Sequence, residues 1–200
     1  RDLVRSRGLG DVYKRQELDK KKTKIIFKKF QIKKSYDFSK YSFLSSVYNI
    51  VKDVPVTLLK EHYRCHPKII GFCNKKFYDN QLIIMTNDNG EKDTLKVFKT
   101  AIGNHARGHI NQRQIDEITQ NILPNIDSDP SQIGIITPYR DQVKEIRKNI
   151  DNREILIDTV HKFQGREKDV MIMSTVDDEI TDFSDDKNLL NVAVSRAVKN

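Results

Sequence analysis

Two short apolar segments joined by a polar loop constrain the fold of this chain more than any other feature. They occupy residues 155–157 and residues 170–173, and polar residues flank both. Short runs rich in apolar and β-branched side chains predict buried strands. The loop between them contains one glycine, Gly165, and many polar side chains that neither a core nor an ordinary turn requires. Because ligands of α/β sheets bind at loops that follow strands, we expect this loop to carry function.

Strands and helices alternate along the rest of the sequence. Apolar spacing predicts further strands at residues 56–59, 95–98 and 133–136. It predicts helices at residues 41–52, from Pro67 to Phe77, around residues 115–122, after Thr137-Pro138, and from about Asn188. We expect residues 79–94 and 177–187 to be loops. This alternation predicts an α/β fold with a parallel sheet and helices on both faces.

The chain divides into three parts of different character. Residues 1–16 show no sustained period, and we interpret them as a non-native or unstructured leader. Residues 17–40 form a basic connector, and residues 41–200 form the folded domain, which we expect to be truncated at the C-terminus. The net charge is +8, but residues 1–34 alone hold 13 lysines and arginines against 4 acidic residues. The basic balance therefore gives little support for nucleic-acid binding by the rest of the chain.

Composition also bears on the compartment and on metals. No apolar run approaches the roughly 20 residues of a transmembrane helix, and two cysteines do not suggest a disulfide scaffold. We therefore expect a cytoplasmic protein without a membrane partner. Four residues that could bind zinc lie close together in sequence: His62, Cys65, His66 and Cys73. Their spacing is not that of two ligand pairs, and Cys73 lies on a predicted buried stripe, so we expect no metal site.

Polar clusters follow three of the predicted strands, at residues 62–67, 137–140 and 159–169. Because the carboxyl ends of parallel strands share one edge of a sheet, these clusters should line one surface. A fourth cluster, residues 191–196, falls in the predicted last helix. A surface that contains Arg64 and Arg196 suits an anionic phosphate ligand.

Four motifs occur in the order and with the spacing of a known family. They are YRCHP at residues 63–67, ITPYRDQ at residues 136–142, DTVHKFQGREKDV at residues 158–170 and NLLNVAVSRA at residues 188–197. Together they resemble the second RecA-like domain of superfamily 1 helicases, in the Upf-like branch, over roughly residues 40–200. The resemblance implies a RecA-like parallel sheet, the fold of P-loop NTPases, in a second motor domain that lacks the phosphate loop.

The resemblance also implies roles for individual residues. Arg64 and Arg196 match the arginines that reach the γ-phosphate of ATP. Tyr63 matches the aromatic residue that packs on adenine, while Gly165 and Glu167 match the motif that approaches the nucleotide, with the glutamate on the ribose. The positions that match contacts to a single strand of DNA or RNA are Thr137, Pro138, Thr159, His161 and Gln164.

Two motifs of an ATPase do not occur in the sequence. There is no G-x-x-x-x-G-K-[ST] phosphate loop, and no acidic run follows a strand to hold Mg²⁺. In the family both belong to the first RecA-like domain, the expected partner of this one in the same parent chain. The expected function is thus part of an ATP-dependent helicase that uses ATP and Mg²⁺. Two alternatives remain: a non-catalytic nucleic-acid-binding or scaffolding domain of a degenerate helicase, and an unrelated nucleotide-binding regulator.

Overall fold

The computed structural model describes residues 20–199, apart from residues 42, 52, 54, 56, 58, 102–105, 164 and 180–185. The chain divides into two compact units at the boundary between Leu59 and Lys60. The leader predicted at residues 1–16 lies outside the described residues.

The first unit contains two helices. They are α1, Lys20–Phe30, and α2, Phe43–Ile50, with a 3₁₀ turn at Lys34–Tyr36. The α2 helix confirms the helix predicted at residues 41–52, but Tyr48 and Val51 of its predicted buried face are exposed. Of the strand predicted at residues 56–59, Val56 and Leu58 lie outside the described residues, and Leu59 is exposed and not in a strand.

The second unit begins with a short parallel strand pair joined through a helix. These elements are β1, Glu61–His62, α3, Pro67–Phe77, and β2, Ile83–Ile84. Pro67 occupies the first position of α3, where its missing N–H costs nothing, and the His66 side chain caps the helix by accepting the N–H of Lys68. The buried stripe predicted for this helix is confirmed, and it consists of Ile69, Ile70, Cys73 and Phe77.

A hairpin and a long helical segment come next in the chain. They are β3, Ala106–Arg107, β4, Ile110–Asn111, and α4, Gln112–Asp116, which continues as a π-helical turn at Glu117–Ile122 and a 3₁₀ turn at Leu123–Asn125. The helix predicted around residues 115–122 is confirmed, and Ile115 and Ile118 are buried.

A three-stranded parallel sheet forms the centre of the second unit. Its strands are β5, Ile133–Thr137, β6, Leu156–Thr159, and β7, Val170–Met173, in the order β6-β5-β7. Helix α5, Arg140–Asn149, connects β5 to β6, a 3₁₀ turn at Val160–Phe163 follows β6, and α6, Lys187–Val194, follows β7. All three strands were predicted from their apolar runs. Thr137 pairs with Thr159, so the carboxyl ends of β5 and β6 lie side by side.

Helices cover both faces of this sheet. On one face, α4 and α5 pack on the strands through a cluster of Ile115, Ile118, Ile133, Ile135, Val143, Ile146, Ile157 and Ile172. Met171, whose side chain points to the opposite face from Ile172, joins a second cluster with α3 and α6, formed by Cys65, Ile69, Ile70, Cys73, Phe77, Leu190, Val194 and Ala197. The predicted arrangement of helices on both faces is therefore observed.

Three sequence predictions about secondary structure are wrong. Residues 79–94 are not a loop throughout, because they contain β2, which pairs with β1. Residues 95–98 do not form a strand, and Leu95, Val97 and Phe98 are all exposed. An apolar segment forms a strand only where a neighbouring strand can pair with its main-chain N–H and C=O groups. The last helix ends at Val194, with Ser195 as its C-cap, so Arg196 lies in the turn beyond it and not on the helix.

A buried polar network joins α5 to three other segments. Gln142 is fully buried; its Oε1 accepts the N–H of Asn111 at 2.9 Å, and its Nε2 donates to Ser174 Oγ at 3.0 Å. Ser174 Oγ donates in turn to Gln114 Oε1 at 2.7 Å. The network therefore fixes the hairpin, the start of α4 and the segment after β7 relative to α5.

None of the described helices is both long enough and apolar enough to span a membrane.

Candidate functional site

Arg64 is held in a defined position by a short turn that follows β1. The turn is closed by His62, whose Nε2 accepts the N–H of Cys65 at 2.9 Å. The guanidinium of Arg64 then makes two contacts: Nη2 donates to the carbonyl of Ser195 at 2.7 Å, and Nη1 lies 3.1 Å from Glu167 Oε2. One side chain thereby connects three of the four motifs, which are far apart in the sequence.

Backbone hydrogen bonds hold the same three motifs together. The segment after α6 runs alongside residue 168: Lys168 N–H donates to Arg196 O at 3.1 Å, and Val198 N–H donates to Lys168 O at 2.9 Å. On its other side, His66 N–H donates to Val198 O at 2.8 Å. These main-chain bonds, together with the bond from Arg64 to Ser195 O, hold Arg196 next to Arg64.

Arg196 is the less compensated of the two arginines. It is half-buried, its Nε is buried without a hydrogen-bond partner, and its side chain forms no ion pair within the part of the chain that the structure describes. Burial lowers the pKa of Arg196, and repulsion from Arg64 lowers it further. Arg64 differs: burial opposes its charge, but Cys65 and Glu167 outweigh that effect and its pKa lies above the ordinary value.

Two neighbouring guanidiniums, of which only Arg64 is paired with a carboxylate, form an electropositive site. A partly desolvated charge without a partner is costly, and an anion that accepts its donors removes that cost. The planar fork of donors on each arginine matches the oxygens of a phosphate group. The Nε atoms of Arg64 and Arg196 are both buried without a partner among the described residues, so neither guanidinium has all of its donors satisfied.

Three residues are predicted to hold the nucleotide base and ribose: Tyr63, Gly165 and Glu167. The ring of Tyr63 is 65% exposed, and its hydroxyl donates to Glu61, which leaves the ring faces available for packing. Gly165 has φ +77°, a left-handed conformation that favours glycine, and it turns the chain toward Glu167. Glu167 is exposed and paired with Arg64. Their roles with the nucleotide stay predictions.

A cavity of about 340 Å³ opens beside Arg64. The residues that line it are Arg64, His66, Thr86, Asn87, Glu91, Val198 and Lys199. His66 Nε2 lies 3.2 Å from Glu91 Oε2 and 3.5 Å from Asp88 Oδ1, a grouping that could suggest a metal. The ammonium of Lys68, however, lies 3.3 Å from Asp88 Oδ2 and donates to Glu91 O at 2.6 Å. The Lys68 ammonium thus already supplies positive charge beside these carboxylates, and we interpret His66, Lys68, Asp88 and Glu91 as a polar network and not as a metal site.

The four cysteine and histidine residues that lie close in sequence serve structural roles here. His62 Nε2 and His66 Nδ1 both accept main-chain N–H groups, so neither atom is free to bind a metal. Cys65 and Cys73 are buried in the core between α3 and α6. Burial raises the pKa of the Cys73 thiol to about 12, which disfavours the thiolate that a metal would require.

Four of the five residues predicted to face a single strand, Thr137, Pro138, Thr159 and His161, lie at the carboxyl edge of β5 and β6. The side chains of Thr137 and Thr159 are buried, and so is Pro138. His161 is half-buried, and its pKa lies below the ordinary value. Burial is the largest cause; Asp186 opposes it, and the charge of Arg140 adds to it. Gln164 lies outside the described residues. The strand-binding roles of these residues remain predictions.

Sequence reasoning missed two contributors to the arginine site. His62 shapes the turn through a side-chain acceptor, and Ser195 acts through its carbonyl oxygen. The spacing of His62 and Cys65, three residues apart after a predicted strand, is compatible with a side-chain-closed turn but does not single it out. The second has no sequence signal, because every residue carries a carbonyl.

His62 makes the stability of this unit dependent on pH. Burial lowers the pKa of His62, and the charge of Arg64 lowers it further. The folded state therefore binds fewer protons than the unfolded state, where the pKa is about 6.5. The contribution to stability is present above pH 6.5 and is lost as the pH falls toward the folded-state pKa.

We accordingly expect the free energy of unfolding, measured with urea, to fall as the pH is lowered below about 6.5. His62→Gln keeps an acceptor at the position of Nε2 and cannot titrate, so its profile should be flatter than that of the parent chain. His161 has a lowered pKa as well, so only the difference between the two profiles reports on His62. Parallel profiles would show that His62 does not titrate with folding.

Comparisons with known proteins give the same result as the motifs. A family described as an AAA domain matches residues 39–200. An uncharacterised ATP-dependent helicase of Caenorhabditis elegans is 30% identical over 167 residues, which cover 73% of this chain and 11% of that protein. The helicase Sen1 of Schizosaccharomyces pombe is 30% identical over 171 residues, 70% of this chain and 10% of that protein. The human RNA helicase Mov10l1 is 30% identical over 174 residues, 70% of this chain and 14% of that protein.

The chain belongs to this AAA-domain family, and within it to the motor domains of superfamily 1 helicases. The α/β fold of the RecA-like kind is confirmed. The chain spans only about a tenth to a fifth of the length of the curated relatives that it matches.

Proposed function

We propose that this chain is the part of an ATP-dependent helicase that completes the ATP site from across a cleft. The observation that carries the proposal is the pairing of Arg64 with Arg196, whose half-buried guanidinium has no partner among the described residues. Positioned arginines stabilise the charge that develops on a transferred γ-phosphoryl group, and this contribution is among the largest single effects in phosphoryl transfer.

The two arginines take different parts in this proposal. Arg64 is already anchored by Ser195 O and Glu167 and provides a fixed positive charge beside the site. Arg196 has no such anchors and is the group whose donors are available for the γ-phosphate oxygens. Tyr63 would pack on the adenine with its exposed ring, and Gly165 and Glu167 would approach the ribose. A domain with a phosphate loop and acidic residues would hold Mg²⁺, which neutralises phosphate charge when bound.

Single-stranded DNA or RNA would lie across the carboxyl edge of β5 and β6. Cycles of domain closure on ATP and opening after hydrolysis would then move the two motor domains along the strand. The relatives include proteins named as RNA helicases and one, from Gallus gallus, named as a DNA replication ATP-dependent helicase/nuclease. Either nucleic acid is therefore compatible with the proposal.

The chain by itself is expected not to hydrolyse ATP. Its sequence has no phosphate loop to hold the β- and γ-phosphates, so the arginines have no bound phosphates to act on. The measurement is ATP turnover by the purified chain with and without single-stranded nucleic acid. Turnover at roughly 1 per second, within the ordinary range of enzymes, would remove the two-domain proposal.

The same assay on a protein that joins this domain to a phosphate-loop domain tests the positive half of the proposal. There, turnover should rise when a single strand is added. A joined protein that binds ATP and the strand but does not turn over ATP would favour a non-catalytic domain of a degenerate helicase.

A further inference from the structure

The hairpin of β3 and β4 presents an exposed histidine ring in a fixed position. A two-residue turn of Gly108 and His109 joins the strands, with Arg107 paired to Ile110. Gly108 has φ +61°, the conformation that a tight hairpin of this kind requires at its first central residue. The turn therefore places His109 at the hairpin tip, where its side chain is exposed.

The ring of His109 stacks on the ring of Tyr139. The two centroids are 4.2 Å apart and the planes meet at 18°. Tyr139 is fixed in turn, because its hydroxyl donates to Asp177 Oδ2 at 2.7 Å. Two aromatic rings from separate segments thus form a stack that is already assembled, with its His109 end open to solvent.

This stack lies at the edge where the sequence predicts that a single strand binds. Tyr139 follows Thr137 and Pro138 directly at the carboxyl end of β5, and exposed Arg140 comes next. The side chains of Thr137 and Thr159 are buried. A strand that approaches this edge therefore meets the ring stack and Arg140 before it meets the threonine side chains.

We propose that His109 and Tyr139 form a platform on which an unpaired base of the bound single strand stacks. This inference rests on the proposed strand-binding function and names a contact within it. Flat aromatic faces accept any base, because every base has a π face, and such contacts are typical of binding without sequence preference. His109 would contact the base, and Tyr139 would hold the imidazole in the plane that the base requires.

The charges around the platform favour stacking over phosphate contact. Three carboxylates lie near it, and each has a partner: Asp141 pairs with Lys144 at 2.9 Å, Asp177 accepts from Tyr139, and Asp178 accepts the N–H of Ala106 at 3.0 Å. The hydrogen bonds to Asp177 and Asp178 come from neutral groups, so both carboxylates keep their negative charge, and the platform offers no surplus of positive charge to attract phosphates. Its contribution to affinity should therefore be nearly independent of salt concentration, unlike contacts that release counterions.

The test is binding of the 200-residue chain to labelled 12-nucleotide single strands, followed by fluorescence anisotropy. One strand carries adenine bases and a matched strand carries abasic sugars on the same backbone. His109→Ala should weaken binding to the adenine strand by roughly fivefold or more, the lower range for loss of one stacked base. Binding to the abasic strand should stay unchanged, and His109→Phe should restore the affinity because it restores a flat ring.

Further measurements separate the outcomes. The slope of affinity against salt concentration should be the same for His109→Ala and the parent chain, and thermal unfolding of the variant should be unchanged because the side chain is exposed. If the parent chain binds the adenine strand and His109→Ala binds it equally well, the platform is overturned while strand binding stands. If the parent chain binds neither strand, the proposed strand-binding function is removed together with the platform.

Discussion

Arg196→Ala is expected to lower strand-stimulated ATP turnover by about 10³-fold or more in a protein that joins this domain to a phosphate-loop domain. The guanidinium is half-buried beside Arg64 and has no partner among the described residues, so its donors are available for phosphate oxygens. A loss of this size corresponds to about 4 kcal/mol of transition-state stabilisation. Single-strand affinity should stay within about tenfold, because the residues predicted to contact the strand lie at the carboxyl edge of β5 and β6.

Two variants serve as controls for this result. Arg196→Lys should restore little activity, since a point charge does not reproduce the planar fork of a guanidinium. Arg153→Ala removes an exposed arginine from the turn before β6 and should leave turnover near normal. Near-normal turnover of Arg196→Ala would remove the residue from the active site and leave Arg64 without its proposed partner.

Arg64→Ala tests whether the two arginines act as one unit. It should also lose most of the turnover, and the double variant should lose less than the product of the two single effects. Independent, multiplying effects would contradict a shared site.

Gln142→Ala is expected to reduce the free energy of unfolding by about 3 kcal/mol or more, because it leaves a buried N–H unpaired, removes a second buried hydrogen bond and empties a buried site. The N–H of Asn111 loses its acceptor, and Ser174 Oγ loses the donor from Gln142 while it still donates to Gln114. The truncation also leaves a cavity where the fully buried side chain of Gln142 was, which adds to the cost. Urea unfolding at pH 7 measures the difference directly.

Matched variants separate the causes of this loss. Gln142→Leu keeps most of the side-chain volume and removes only the hydrogen bonds, so it should retain most of the destabilisation. Gln132→Ala removes an exposed glutamine just before β5 and should change stability by no more than about 0.5 kcal/mol. If Gln142→Leu proves as stable as the parent chain, the network contributes packing and not hydrogen bonds.

The sequence predicted the elements whose signal is strong and local. The three central strands carry runs of apolar and β-branched residues that allow little else, and the helix at Pro67 combines an N-terminal proline with a buried stripe. The segment at residues 95–98 has similar residues but no strand beside it in the described chain, and pairing cannot be read from a single segment. The ends of helices were harder to predict. The last helix ends at Val194, only two residues before Arg196, and this small difference places Arg196 in a turn.

The motifs also predicted that Arg64 and Arg196 lie close together, and the structure has them as neighbours. The sequence could not show how they are held. Arg64 depends on a carbonyl and on a histidine acceptor, and the Gln142 network depends on side chains from four separate segments. These contacts arise from tertiary packing, and neither the periodicity nor the spacing of residues in the sequence predicts them. The same holds for the stack of His109 on Tyr139.

Because Arg64 binds the main chain at Ser195, the arginine site should tolerate substitutions at this position but not insertions or deletions beside it. An exchange of Ser195 for another residue leaves the accepting carbonyl in place, because every residue carries one. An inserted or deleted residue between the end of α6 and Arg196 would move that carbonyl out of reach and shift Arg196 along Lys168 at the same time. Homologous chains should therefore vary in residue type at this position while keeping the length of the segment constant.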